Sequence, residues 1–460
     1  MAAAVAAAPE PDPCPSEWLG LGVDLGTSGL RIALVNSRGE RLLEEGDPYP
    51  APFEDPEGWR QGLIERIAAI PPELRRLIGA IALDGTSGTL LLCHPDGRPA
   101  EGNLALALPY HQACPEQAEA ATALAAECAL AAGASGSLAR ALTLLERASR
   151  AGHGPADLWI RHQADWLMGW MLGDWRWGEE GNNLRLGWML PRQEEGAGHW
   201  AGSIGSQPWS PALPRIRISG TPLGRLNPHC AALLDLPREC VVVAGTTDSN
   251  AGVLAAAPGA EDGITVLGTT LVLKQFSPRP VQAAGVSCHR LAGQWLVGGA
   301  SNGGAGLLRR FFDDATIAAL SRQIDPERPT GLELRPMPAP GERFPVDDPH
   351  LEPRLEPRPV SDALYLQALL EGLTAIERAG WERLLQLGLP PVRRVITLGG
   401  GARNPQWRLL RERALGVPVL KRPALSAALG MARLALQGRR LQQERGSTPP
   451  PSASAAPERP

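Results

Sequence analysis

Four short glycine–hydroxyl segments, each directly after an apolar run, hold the residues whose types and spacing suit chemistry. They are Asp24-Leu25-Gly26-Thr27-Ser28, Asp84-Gly85-Thr86-Ser87, Gly245-Thr246-Thr247-Asp248-Ser249 and Leu267-Gly268-Thr269-Thr270. A turn of this composition presents backbone N–H groups and hydroxyls with no bulky side chain in front of them, a cradle for phosphate oxygens. Gly26, Thr27 and Ser28 form one such cradle and Gly268, Thr269 and Thr270 a second, one in each half of the chain. Two similar domains gripping one nucleotide are therefore expected. Asp24 stands where its strand ends and the turn begins. A carboxylate there suits Mg²⁺, because hard cations prefer oxygen ligands, and its plainer role is to cap the turn.

Asp248 follows an apolar run and a Gly-Thr-Thr turn, and the small residues Asn250-Ala251-Gly252 after it leave space for a substrate. A lone carboxylate so placed can take a proton from a sugar hydroxyl. It, or Ser249, can also cap a helix running on through 251–254, and the two roles are compatible. Between an apolar run and a helical stretch lies Leu398-Gly399-Gly400-Gly401-Ala402-Arg403-Asn404. Its three glycines let backbone approach a flat ligand such as adenosine. Ser301-Asn302-Gly303-Gly304-Ala305-Gly306 reads equally as a ligand-facing opening and as a packing turn.

The elements that must position these residues read as strands alternating with helices, an α/β pattern. Residues 20–47 pattern as a hairpin turning at Asn36-Ser37-Arg38-Gly39, 58–77 as a helix interrupted by Pro71-Pro72, and 78–83 and 90–93 as strands. Helices are expected over 115–132 and 154–173. In the second half, strands are expected at 241–244, 264–274 (a hairpin), 295–299 and 395–398, with helices at 303–312, 361–387 and 405–415. The Pro/Arg-rich stretch 324–360 reads as a long surface loop. Eight of the thirteen tryptophans fall between Trp159 and Trp209, a pattern that favours packing within a helical region over an aromatic platform for sugars.

Composition narrows the classes. The chain has 460 residues, 43% hydrophobic and 20% charged, with a formal net charge of −4, so neither a basic nucleic-acid surface nor a disordered chain is indicated. Lys274 and Lys421 are the only lysines, and the lysine-bearing phosphate loop G-x-x-x-x-G-K-[ST] is absent. Seven scattered cysteines, never spaced C-x-x-C, argue against a disulfide framework or a zinc site and fit a reducing cytoplasm. No apolar run is long enough to span a membrane. The Ala/Pro-rich start carries neither signal-peptide nor transit-peptide features and reads, over 1–18, as a disordered leader; 438–460 reads as a disordered tail.

Taken in order, these segments resemble the FGGY-type carbohydrate kinases of the actin/Hsp70/hexokinase superfamily. The matching stretches are D-L-G-T-S at 24–28, D-G-T-S-G-T at 84–89, A-G-T-T-D-S-N-A-G at 244–252, L-G-T-T at 267–270 and L-G-G-G-A-R-N at 398–404. G-V-P-V at 416–419 and A-A-L-G at 427–430 extend the likeness, which spans roughly 20–437. The resemblance implies an α/β fold of two ribonuclease-H-like domains, 19–238 and 239–437, with an interdomain cleft. It implies ATP and Mg²⁺ as cofactors and a sugar as substrate, with a homodimer as the candidate assembly and no nucleic-acid or membrane partner. Gly26, Thr27, Ser28, Gly268, Thr269 and Thr270 would hold phosphates, and Gly399, Gly400, Gly401 and Asn404 would flank adenosine. Asp248 would be the catalytic base and Asp24 the metal-associated carboxylate. Thr86 and Ser87 join Asp248 as substrate residues.

The family places an Asp, often followed by an Arg, after the strand that reaches the sugar, whereas this chain has Leu108-Pro109-Tyr110-His111-Gln112-Ala113. His111 and Gln112 can hydrogen-bond a polyol without bringing a charge. Ser426 stands where the family has a glutamate before A-A-L-G. In length, and in D-G-T-S-G-T-L-L-L and H-Q-A-D-W-L (162–167), the chain is similar to a compact ribulose-kinase branch. D-ribulose is thus the first expected substrate and D-xylulose the second. A non-catalytic sugar- or nucleotide-binding relative is the rival reading, and an Hsp70-like ATPase the weakest.

Overall fold

The computed structural model describes residues 18–193, 196–422 and 425–447, and these form two compact units. The first comprises residues 1–186, 206–248 and 431–460; the second comprises 187–205 and 249–430.

The first unit is built on a six-stranded sheet. β1 (Leu19–Leu25) is buried along its whole length, as befits a central strand with an unbroken apolar run. It pairs antiparallel with β2 (Leu30–Val35), which pairs antiparallel with β3 (Arg41–Asp47). On its other side β1 runs parallel to β4 (Ile78–Gly85). The edge strand β5 (Pro222–Arg225) flanks β6 (Val241–Thr247), which runs parallel to β4, giving the order β5-β6-β4-β1-β2-β3. Helix α1 (Pro56–Ala69) starts on Asp55, whose side chain accepts the Glu57 N–H, with proline at the first helical position. Helices α2 (Ser137–Arg150) and α3 (Gln163–Leu172) follow, α3 ending at Gly173 in the left-handed conformation.

Five expectations change here. Strand β6 belongs to the first unit's sheet, so the boundary expected at 238/239 falls instead after Asp248. Residues 159–162 open no helix; Trp159–His162 is a strand paired with Leu90–Cys93, because that apolar strand needs a partner and the Trp-Ile pair favours extended backbone. The expected helix over 115–132 resolves into the helix Ala118–Leu124 flanked by 3-10 turns at Pro115–Gln117 and Ala129–Ala131. The C-terminal helix, Ala427–Ser447, continues ten residues into the expected tail. Trp18, expected in the leader, is buried, with Arg439 over its ring; the rest of the leader and residues 448–460 lie outside the described residues. The tryptophans pack as expected: Trp166 meets Trp59 edge-on and donates to the Gly97 carbonyl.

The second unit repeats the plan. β7 (Asp262–Leu267) pairs antiparallel with β8 (Leu271–Ser277). β9 (Val286–Leu291) and β10 (Gln294–Ser301) continue the antiparallel side, and β11 (Arg394–Leu398) and β12 (Val419–Lys421) lie parallel on the other, in the order β9-β10-β8-β7-β11-β12. Helix α4 (Asp248–Ala256) leads into the unit, and α5 (Asp362–Gln386) and α6 (Pro405–Leu415) cover its sheet. In each unit three antiparallel strands (β1-β2-β3 and β7-β8-β10) carry two further parallel strands beside the first, the ribonuclease-H-like arrangement, with β5 and β9 added at the edges. The helix expected over 303–312 is a 3-10 segment, Ala305–Arg310. The 324–360 stretch has no regular element, yet it is no mere surface loop: Leu334, Met337 and Phe344 are buried, and Glu342 accepts from Ser301 Oγ and the Asn302 N–H.

Candidate functional site

The first unit gathers carboxylates at the carboxyl ends of three adjacent parallel strands. Asp24 of β1 and Asp84 of β4 are register partners, and Asp248 follows Thr247 of β6, itself the partner of Gly85. Asp24 is buried and accepts from Arg31 Nη1 at 3.2 Å. Burial raises its carboxyl above the usual range, with Arg31 pulling the other way. Asp84 is fully buried, and neither of its carboxyl oxygens meets a hydrogen-bond donor. Its burial, reinforced by the charges of Asp24 and Asp248, holds it protonated well above the usual range. Asp248 is exposed at the first residue of α4.

Around these groups the expected residues take distinct parts. Thr27 and Ser28 are exposed on the β1–β2 turn, while the Gly26 carbonyl accepts from the Tyr49 hydroxyl at 2.9 Å. The Thr86 hydroxyl is committed to structure: it pairs with Thr89 Oγ1 at 2.7 Å and donates to Gln163 Oε1 at 2.9 Å. Ser87 is half-buried at the tip of that turn, and His111 and Gln112 are exposed on the loop that follows Leu108.

In the second unit the structure brings together the other two expected groups, since Val266 of β7 and Leu398 of β11 are register partners just before the Gly268–Thr270 and Gly399–Gly401 turns. Gly304 braces the first turn so closely that a Cβ there would sit 2.4 Å from the Thr269 carbonyl oxygen. At Gly304 and Gly306 the Ser301–Gly306 segment therefore packs against that turn. Gly399 has φ +84°, and a Cβ on it would meet the Leu267 carbonyl oxygen at 2.6 Å, whereas nothing crowds Gly400. Asn404 caps α6, accepting the Trp407 N–H at 3.0 Å and donating to Ser321 Oγ at 2.8 Å. Its side chain is thereby occupied, and its backbone N–H donates to the Gly401 carbonyl while its own carbonyl accepts the Arg408 N–H.

Three features escaped the sequence reading. Asp84 gains its meaning only from parallel register. Arg411 and Glu377 form a fully buried pair behind the glycine turn, with Arg411 Nε and Nη2 donating at 2.6 and 2.7 Å. Lys274, buried on β8, donates to Ser249 Oγ at 2.9 Å and Asn250 Oδ1 at 2.6 Å, the residues directly after Asp248. The rarity of lysine in this chain was the available signal. A cavity of about 450 Å³ between the 332–354 stretch and α5 is lined mainly by apolar side chains and includes none of the expected site residues.

Two sheets sharing one five-strand core, each with a glycine–hydroxyl turn after its first strand, define an actin/hexokinase-like fold. The comparisons agree. Residues 263–438 match the C-terminal domain of the FGGY family of carbohydrate kinases. A xylulose kinase from Brucella ovis superposes with a TM-score of 0.72 at 21% identity, covering 92% of this chain and 90% of that one. A gluconate kinase from Lactobacillus acidophilus gives 0.71 at 14%, covering 93% and 90%. A Plasmodium falciparum glycerol kinase with ADP gives 0.71 at 14%, covering 92% and 90%. Residues 263–438 thus carry the C-terminal domain of the FGGY carbohydrate kinases, and the chain is an ATP-dependent sugar kinase. The superposed structures show the shared fold, and their differing sugars leave the substrate to this chain's own residues.

Proposed function

We propose that this kinase phosphorylates the primary hydroxyl of a ketopentose, D-ribulose first and D-xylulose second. The observation that carries the reading is the placement of Asp248, exposed at the end of β6 beside the carboxyl ends of β1 and β4. Its carboxylate would accept the hydroxyl proton as that oxygen bonds to the γ-phosphorus and the bond to the β-phosphate oxygen breaks, releasing ADP. Thr27, Ser28, Thr269, Thr270 and the backbone of Gly26 would take the phosphate charge, while Gly268, whose N–H donates to the Thr270 carbonyl, would shape the second turn. Gly399–Gly401 would flank adenosine, with Asn404 holding the end of that turn against α6. His111, Gln112 and Ser87 would read the sugar hydroxyls.

Asp24 would hold Mg²⁺, and the donor-free oxygens of Asp84 fit a second carboxylate contact. No group of three His, Cys, Asp or Glu side chains arranged for a metal occurs among the described residues, so phosphate and water would complete the shell. The cation supplies charge neutralisation on the phosphates. The ketopentose rests on the likeness of 84–92 and 162–167 to the compact ribulose-kinase branch. The free thiols of the six described cysteines support a cytoplasmic setting.

The test is sugar-dependent ADP release over ketoses, aldonates and polyols. Asp248→Asn should lower kcat by about 10²–10⁴, the usual worth of a positioned base. No turnover on any sugar, or unchanged turnover in the variant, would overturn the reading and favour a non-catalytic binder.

A further inference from the structure

We propose that Arg140 is the positioning residue of the sugar end: it clamps the Thr86–Thr89 turn and the Tyr110–Gln112 loop by their backbone carbonyls, and so sets sugar selectivity. This rests on the assignment of Ser87, His111 and Gln112 to the sugar.

Arg140 lies on α2 and is fully buried. Its Nε donates to the Gly88 carbonyl at 2.7 Å, and its Nη1 donates to the Tyr110 and Gln112 carbonyls at 2.9 and 3.0 Å. No ion pair to it is recorded among the described residues, although a buried guanidinium normally takes a carboxylate partner. Burial lowers it to about 10, which still leaves it cationic at neutral pH. Its charge is therefore spread over three carbonyl dipoles, all on the two segments assigned to the sugar.

The fit depends on the turn. Gly88 has φ +103°, and a Cβ on it would lie 2.6 Å from Arg140 Nη2 and 3.1 Å from Ser137 Oγ. Thr89 adds a second tie, its Oγ1 accepting the Tyr110 N–H at 3.1 Å. The planar fork suits this task, because one rigid group reaches carbonyls on both segments where a lysine would offer a single point charge. Held from behind by their backbone, His111 and Gln112 keep their side chains exposed for sugar hydroxyls. The loop thus gains its order from a cation beneath it.

The test compares Arg140→Gln and Arg140→Lys with the wild type. In Arg140→Gln the KM for sugar should rise about tenfold or more, the worth of one or two oriented hydrogen bonds, with the KM for ATP unchanged. The D-ribulose to D-xylulose preference should fall toward unity, and Arg140→Lys should be intermediate. Without sugar, hydrogen exchange over 108–113 should quicken while β1 and β4 keep their protection. A parallel rise in both KM values, or unchanged exchange over 108–113 in a folded variant, would overturn the proposal. If the wild type phosphorylates no sugar, the functional reading fails, and the exchange measurement still decides the clamp.

Discussion

Replacing Arg411 by methionine probes the second unit behind its glycine turn. Arg411 donates two hydrogen bonds to Glu377 and one, from Nη1 at 2.7 Å, to Thr397 Oγ1. Its loss leaves a fully buried carboxylate with the Thr265 hydroxyl, at 2.6 Å, as its remaining donor. Removing one partner of such a pair costs about 3–5 kcal/mol, the penalty of a buried charge without compensation. At about 2–4 °C per kcal/mol for a unit of this size, scanning calorimetry should show the second unit melting roughly 6–20 °C lower. Glu377→Leu should cost about as much by the same argument. The double variant removes both charges and leaves two threonine hydroxyls without these partners, at about 1–2 kcal/mol each. It should therefore melt above either single variant, with a coupling of about 3 kcal/mol or more. Additive losses in the double variant, or a single loss under about 1 kcal/mol, would refute the reasoning.

Other outcomes follow from the same geometry. Gly304→Ala places a methyl 2.4 Å from the Thr269 carbonyl oxygen and must push the phosphate turn aside; KM for ATP should rise about tenfold with KM for sugar unchanged, and an unaltered KM for ATP would count against that turn as a phosphate cradle. Burial raises the Glu179 carboxyl to about 8, although N–H donors from Gly181 and Asn182 pull it down. Between the unfolded value of about 4.3 and that point, the native state holds a proton the unfolded chain lacks. Stability should then fall as pH rises through this window, by at most about 1.4 kcal/mol per unit, and Glu179→Gln should flatten the slope; parallel melting profiles of the two proteins between pH 5 and 9 would show that the N–H donors prevail.

The strands beside the turns were legible because they are short apolar runs punctuated by glycine and hydroxyl residues, a pattern that survives any tertiary context. What escaped was set by pairing at a distance. Trp159–His162 looks helical by its neighbours and becomes a strand because Leu90–Cys93 lies open to it. Asp84 is one more turn residue until β1 and β4 align it with Asp24. Thr86 and Asn404 were read for their polar atoms, which the fold spends on Gln163, Ser321 and the Trp407 N–H. Arg140 stands among small and apolar residues and Arg411 among other charged ones, and nothing local says which carbonyls or carboxylates they will meet.

The return of the C-terminal helix to the first unit has a consequence for biogenesis. A Cβ on Gly20 would lie 2.3 Å from the Ala432 carbonyl oxygen, and Arg439 Nη1 donates to the carbonyls of Gly79 and Glu239. Strand β1 is thus packed by a helix that follows it only after the whole second unit has been synthesised. A nascent chain that has not yet reached residue 439 exposes the apolar back of β1, which makes synthesis of that helix a condition for hiding the surface from chaperones and proteases.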